Sequence, residues 1–413
     1  MGPLEFAQAR LRSFVDQVQR LQHSEFPYPH AREGLSRIEL HFARLVEDLK
    51  MLSSASDPDV VREACARSVE QIGLYLPLLG LLVRSIDTRN SFEVYAPVWR
   101  LSQAFLGSSA KLVLSSEWEF SPYTFVYGLF SGLSEFVLMG LPAQESGNPL
   151  LVPLAGHELG HSVWRNNKLG STFSAGINKH ILDGLTKHWT EYLGFHPGTT
   201  ATLKNPDLTL TYNVSLTHDW AMRQVEETFC DVLGVRTFSE SYLHAFAYLL
   251  APGRFGVRSR QYPSFTRRAK NLSRAAAEFV VPIPTDFDTW FDDAPDPIPK
   301  SSEYALLLRV ADAAAEAILP DVIATAANLA LKAGVPDRSE GRLERVIDGF
   351  KLLVPAWGVQ HIADILNAAW KIYLDPTFWD HVPKISESRL AVLTELTLKS
   401  FEVYEYERLV SAP

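Results

Sequence analysis

From Leu4 to about Leu106 apolar residues recur at helical spacing, as in Leu11, Phe14, Val15, Val18 and Leu21, and again in Ile38, Phe42, Leu45 and Leu49. Such spacing keeps one face of a helix apolar, so it predicts a set of amphipathic helices over residues 1–106. The period then changes. Lys111 to Phe125, rich in Val, Trp, Phe and Tyr, and Phe136 to Leu141 read as strands, broken by Ser121-Pro122 and by Gly140 to Pro149. A small sheet is expected there.

Leu150 to Trp164 reads as a helix, with Pro153 suited to its first turn, and Ile181 opens another that runs to Leu193. Between His196 and His218 the sequence is polar and Thr-rich, which suggests a long loop or hairpin before a helix from Asp219 to about Tyr248. The segment 281–300 holds Pro282, Pro284, Pro295, Pro297 and Pro299 among acidic residues and reads as a stiff connector. Beyond it, Ser301 to Tyr373 is Ala- and Leu-rich with helical periodicity. The expected fold class is α+β, predominantly helical: a helical unit over 1–106, a core with a small sheet over 107–280, and a helical unit over 301–413.

Composition changes this picture little. With 46% hydrophobic and 21% charged residues the protein is globular, and 413 residues suggest two or three packed units. The net charge of -9 opposes attraction to phosphate backbones and anionic membranes, so nucleic acid is not an expected partner. Ile72 to Val83 is too short to span a bilayer, and Thr124 to Leu141 carries Ser131, Ser134 and Glu135, so no membrane span is expected. Met1 to Phe14 lacks the features of a secretory signal, and Phe6 stands where a myristoylation signal needs Ser or Thr. Two cysteines, Cys65 and Cys230, make no disulfide framework and fit a reducing, cytoplasmic compartment.

The chemistry lies in His157-Glu158-Leu159-Gly160-His161. Two imidazoles at i and i+4 project from one helix face and can close on a single ion, and neutral imidazole nitrogen suits Zn²⁺. Glu158 would sit beside the open coordination position as proton shuttle. The apolar run Leu150, Leu151, Val152, Leu154 and Ala155 predicts that this helix is buried, where three polar groups need a use. A third ligand must come from elsewhere. The residues after His161 lack the Gly and His of a metzincin, whereas the later helix carries Glu226-Glu227-Thr228-Phe229-Cys230-Asp231. Glu227 and Asp231 share a face at i and i+4, a spacing that lets the Glu bind metal while the Asp holds a ligand histidine by its N–H. Glu226 is the rival ligand, its other reading being a rim carboxylate. Cys230 reads as a small packing residue.

His-Glu-x-x-His followed downstream by Glu-x-x-x-Asp resembles the signature of gluzincin metallopeptidases. The resemblance covers these two helices and implies a zincin-like catalytic core over 107–280, with Zn²⁺ on His157, His161 and Glu227. It also implies Asp231 behind His157, Glu158 as general base, and a protein or peptide substrate. Further along, Gln261-Tyr262-Pro263-Ser264-Phe265-Thr266-Arg267-Arg268 is similar to the His-Pro-x-x-x-x-Arg stretch of prenyl-protein and heat-shock zinc peptidases, with Tyr262 where those place a His. On that likeness Tyr262 and Arg268, with Arg267 as the alternative to Arg268, are candidate stabilisers of the oxyanion, and His244 and Tyr248 are weaker ones. Lys111 to Phe125 could offer an edge for an extended peptide. The arginine-rich run Arg254 to Arg274 reads either as a phosphate-binding strip or as a solvated helix face. A metal-holding sensing module and a zinc hydrolase of non-peptide bonds remain as other expectations.

Overall fold

The computed structural model describes residues 2–52, 57–86, 92–118, 122–124, 133–253, 257–383 and 386–411. Ser121, Phe125, Ser131 and Arg254, which enter the readings above, lie outside them.

Proline begins each of the first three helices, α1 (Pro3–Gln22), α2 (Pro29–Leu52) and α3 (Pro58–Arg84), where a missing N–H costs nothing. Their apolar stripes meet: Leu11, Phe14 and Val18 of α1 share one core with Leu35, Ile38 and Phe42 of α2 and Tyr75, Leu78 and Leu82 of α3. After α4 (Phe92–Leu106) come β1 (Lys111–Glu117), β2 (Tyr123–Thr124) and β3 (Phe136–Pro142), in the order β1-β3-β2. The β1–β3 pair is parallel, with Lys111 opposite Phe136, and β2 runs antiparallel to β3. Val113, Phe136 and Leu138 join the core of the N-terminal helices.

The sheet therefore belongs with the helices before it. One compact unit comprises Met1–Gln103 and Gly107–Gly147, and the other Ala104–Leu106 and Asn148–Pro413. The boundary anticipated at 106/107 falls at 147/148, because the inward faces of β1 and β3 are completed by residues of α1 to α3. At the start of β1, Trp99 and Tyr95 of α4 donate to the carbonyls of Ala110 and Leu112, at 2.9 and 3.1 Å. No helix among the described residues is long and apolar enough to cross a membrane.

Among the described residues the regular elements of the second unit are all helices. A 3₁₀ stretch, Pro149–Leu154, leads into α5 (Ala155–Asn166), followed by α6 (Leu169–Lys187), α7 (Trp189–Phe195) and the 31-residue α8 (Leu208–Phe238). Then follow α9 (Glu240–Leu250), α10 (Phe265–Glu278), α11 (Glu303–Ala317), α12 (Leu319–Lys332), α13 (Glu340–Lys351), α14 (Ile362–Leu374) and α15 (Arg389–Ser411). Helix α8 is the axis, and α5, α6, α10, α11, α12 and α14 all pack against it. The single helix expected over 219–248 is two, parted at Ser239, whose φ of 57° no helix can hold. The C-terminal helices are likewise no separate unit, since α11 and α12 lie directly on α8.

The proline-rich segment 281–300 is not a free spacer. Phe287 and Phe291 are buried, and Phe291 packs on Phe246 with ring centres 5.3 Å apart. The backbone N–H of Asp292 donates to Pro252 O at 2.6 Å, that of Arg258 donates to Pro295 O at 3.1 Å, and Asp293 accepts from the N–H of Thr266 at 3.0 Å. The segment is strapped along the loop that carries Tyr262.

Candidate metal centre

Helices α5 and α8 meet at backbone contact, and small residues make this possible. A Cβ at Gly160 would lie 2.8 Å from the Cα of Cys230, and one at Gly156 would lie 3.2 Å from the Cα of Gly234. Glycine in a helix costs about 1 kcal/mol relative to alanine, and here it removes the atoms that would hold the axes apart. Side chains flanking that crossing are thereby forced together.

Those side chains are the predicted ones. His157 Nε2 stands 3.3 Å from Glu227 Oε2, and His161 Nε2 stands 3.8 Å from Glu227 Oε1. The two imidazole rings are nearly perpendicular, with centres 5.1 Å apart. Each ring's other nitrogen faces an acid: His157 Nδ1 lies 2.9 Å from Asp231 Oδ1, and His161 Nδ1 lies 3.1 Å from Glu226 Oε1. An Nδ1–H donated to a carboxylate leaves the Nε2 lone pair free, and both lone pairs then face Glu227.

Asp231 is itself held. It accepts from Tyr242 OH at 2.8 Å, and from Nε and Nη2 of Arg268, each at 2.8 Å. The Arg268 guanidinium also lies 4.9 Å from the centre of the Phe246 ring. This corrects the expectation for Arg268: its bidentate pair turns it towards Asp231, so it positions His157 from behind instead of meeting a reacting oxygen. Glu226 is not a rim carboxylate either, being 7% exposed and engaged with His161. Tyr242 and the orienting role of Glu226 escaped the sequence reading. His244 and Tyr248 pack on Trp370 of α14, with ring centres at 5.4 and 6.2 Å, and burial pushes the His244 pKa down to about 4.

Charge accumulates at this crossing. Burial alone would lower the pKa of His157, but Asp231, Glu227 and Glu158 around it raise it to about 10. Burial would raise the Asp231 carboxyl, yet Arg268 and His157 hold it well below the usual carboxylate range. Glu227 is lowered despite burial, chiefly by His157. Glu158, 5% exposed, lies between the two histidines in sequence and adds to the negative field felt by His157 and Tyr262. Tyr262, in the loop before α10, feels the same charges: that of Glu227, then burial, push its phenol up to about 12.

The residues fit a cation. Glu227 Oε2 is buried and makes no hydrogen bond, although an imidazole nitrogen is 3.3 Å away. Ligands about 2.0–2.2 Å from a tetrahedral ion stand roughly 3.3–3.6 Å from one another; His157 Nε2 is 3.3 Å from Glu227 Oε2, whereas His161 Nε2 is 3.8 Å from the other oxygen, Oε1. A sulfur competes for the third place: His157, His161 and Cys230 offer ligand atoms all within 4.8 Å of one another. The Cys230 thiol, however, sits against Gly160 at the helix crossing, and burial and then the surrounding carboxylates push its pKa well above 9. No family model, curated protein or solved structure matches the sequence.

Proposed function

We propose that this protein is a zinc-dependent endopeptidase of gluzincin pattern, built on a zincin-like core and acting on protein or peptide substrates. The observation that carries the reading is the convergence of His157 Nε2 and His161 Nε2 on Glu227, whose buried Oε2 has no hydrogen bond. His157, His161 and Glu227 would hold the ion, with Asp231 and Glu226 fixing the two imidazoles. Zinc in that position supplies Lewis acidity towards a peptide carbonyl and towards water.

The protein's own residues do the rest. Glu158 takes the proton of the attacking water and returns it to the leaving nitrogen, so no covalent enzyme intermediate is needed. Tyr262 donates its phenolic hydrogen to the oxygen that gains charge. Arg268, through Asp231, keeps His157 in one tautomer and one orientation. Two buried free thiols, Cys65 and Cys230, support a reducing, cytoplasmic setting.

The test is cleavage of a peptide mixture by zinc-loaded protein, read as new N-termini. Glu158→Gln should lower turnover by a factor of roughly 10² to 10⁴ with zinc content unchanged, and chelation should abolish cleavage. Equal turnover by wild type and Glu158→Gln would remove the reading.

A further inference from the structure

The arginine-rich run is not one strip. Arg258 pairs with Asp312 at 2.6 Å, Arg267 donates to the Asp312 carbonyl at 2.6 Å, and Arg268 is spent on Asp231. Arg260 differs. Its guanidinium lies 5.3 Å from the ring centre of Trp220 and 5.4 Å from that of Tyr304, and among the described residues it meets no carboxylate. The side chain is exposed, in a protein of net charge -9. Ordering a long arginine costs about 1.5–2 kcal/mol of rotamer freedom, and the two aromatic faces offset that cost without neutralising the charge. The outcome is a cation fixed in place with its N–H edge unspent.

Its position relates it to the metal centre. The Gln224 amide donates to the Arg260 carbonyl at 3.3 Å, which pins this loop to α8 one turn before Glu227, and Tyr262 follows within the field of Glu227. Trp220, beneath the guanidinium, is two turns from Glu227, about 10 Å along the helix axis. Extended peptide covers that distance in about three residues. Between them Arg223 is paired with Glu226 Oε2 at 3.3 Å, which leaves Arg260 as the unpaired cation of this stretch among the described residues.

We infer that the centre takes anionic peptides: Arg260 receives a substrate carboxylate two or three residues from the scissile bond, on one side of it only. The inference rests on the peptidase reading and adds the substrate class. The carboxylate can be an Asp or Glu side chain or the terminal carboxylate of the peptide, since a guanidinium edge binds all of these.

The test uses the full-length protein, zinc-loaded and bearing Glu158→Gln so that peptides bind without turnover. Fluorescent peptides carry Glu or Gln at each position within four residues of a defined bond, with free or amidated C-termini. Glu, or a free C-terminus, at one such position should tighten binding about tenfold, with the preference shrinking as salt is raised. Arg260→Glu should invert it towards Lys-containing peptides, which loss of folding cannot do. Binding with no charge preference, or a preference that Arg260→Glu leaves intact, overturns the inference. Preferential binding without any cleavage by the wild-type protein overturns the peptidase reading instead.

Discussion

The N-terminal helices and the helix that carries Glu227 and Asp231 bury their residues by opposite rules. In α1 and α2 burial follows a stripe of apolar side chains, such as Leu11, Phe14 and Val18, and the polar face is left in water. From Gln224 to Phe238 of α8 every residue is buried, whatever its polarity, including Gln224, Glu226, Glu227, Thr228, Asp231 and Arg236. Apolar stripes need only a neighbour of matching shape, whereas each buried polar group needs a specific partner. Asp231 has three and Glu226 has two. Gln224 Oε1, Glu227 Oε2 and Thr237 Oγ1 make no hydrogen bond, and of these Glu227 is the one whose carboxylate faces the Nε2 atoms of His157 and His161, at 3.3 and 3.8 Å.

The largest break in that contrast should come from Arg268→Met. It leaves Asp231 buried beside His157 without its bidentate cation, a change worth about 3–5 kcal/mol in urea unfolding, together with loss of zinc affinity. Gly160→Ala should follow, at about 3 kcal/mol, since the new Cβ would stand 2.8 Å from the backbone of Cys230 and must part α5 from α8. Zinc content should fall with it.

His361 sharpens the comparison through pH. It caps α14 by accepting from the N–H of Ala363 at 3.2 Å, and burial, reinforced by Arg342, Arg236 and Arg408, pushes its pKa down to about 4. The unfolded state therefore takes up the proton first. Its stability contribution is full above the unfolded pKa of about 6.5 and is lost as pH falls towards 4, by about 2 kcal/mol at pH 4.5. Urea titrations of wild type and His361→Asn at pH 7 and 4.5 should show the asparagine variant losing less. The smallest effect, of opposite sign, belongs to the first unit: Gly73 is an exposed mid-helix residue of α3 with open space where a Cβ would go. Gly73→Ala should raise stability by about 1 kcal/mol.

The same contrast explains how far the sequence could be read. Period and breakers carried the amphipathic helices and the strands, because those signals are local. The His157, His161, Glu227 and Asp231 set was legible because each pair sits one turn apart on its own helix. What a periodicity cannot give is which face meets which. Glu226 reaches His161 across 65 positions of sequence, and Tyr242 reaches Asp231 from the next helix across a break at Ser239. Gly156 and Gly160 carry the crossing, but as helix-weakening residues they carry no positive sequence signal. The part of α6 before Ile181 had one that went unread, in Leu169, Phe173 and Ile177, which continue at the same fourth-position spacing into Ile181 and Leu185. The unit boundary eluded the reading because the sheet's partners lie before it in sequence.

X-ray absorption at the zinc edge of the zinc-loaded protein tests the central claim most directly, because it separates nitrogen and oxygen ligands from sulfur. The expected result is one ion per molecule with only nitrogen and oxygen neighbours at about 2.0–2.2 Å, lost in Glu227→Ala and kept in Cys230→Ala. A sulfur neighbour at about 2.3 Å that vanishes in Cys230→Ala, or no bound ion in the wild-type protein, would contradict it.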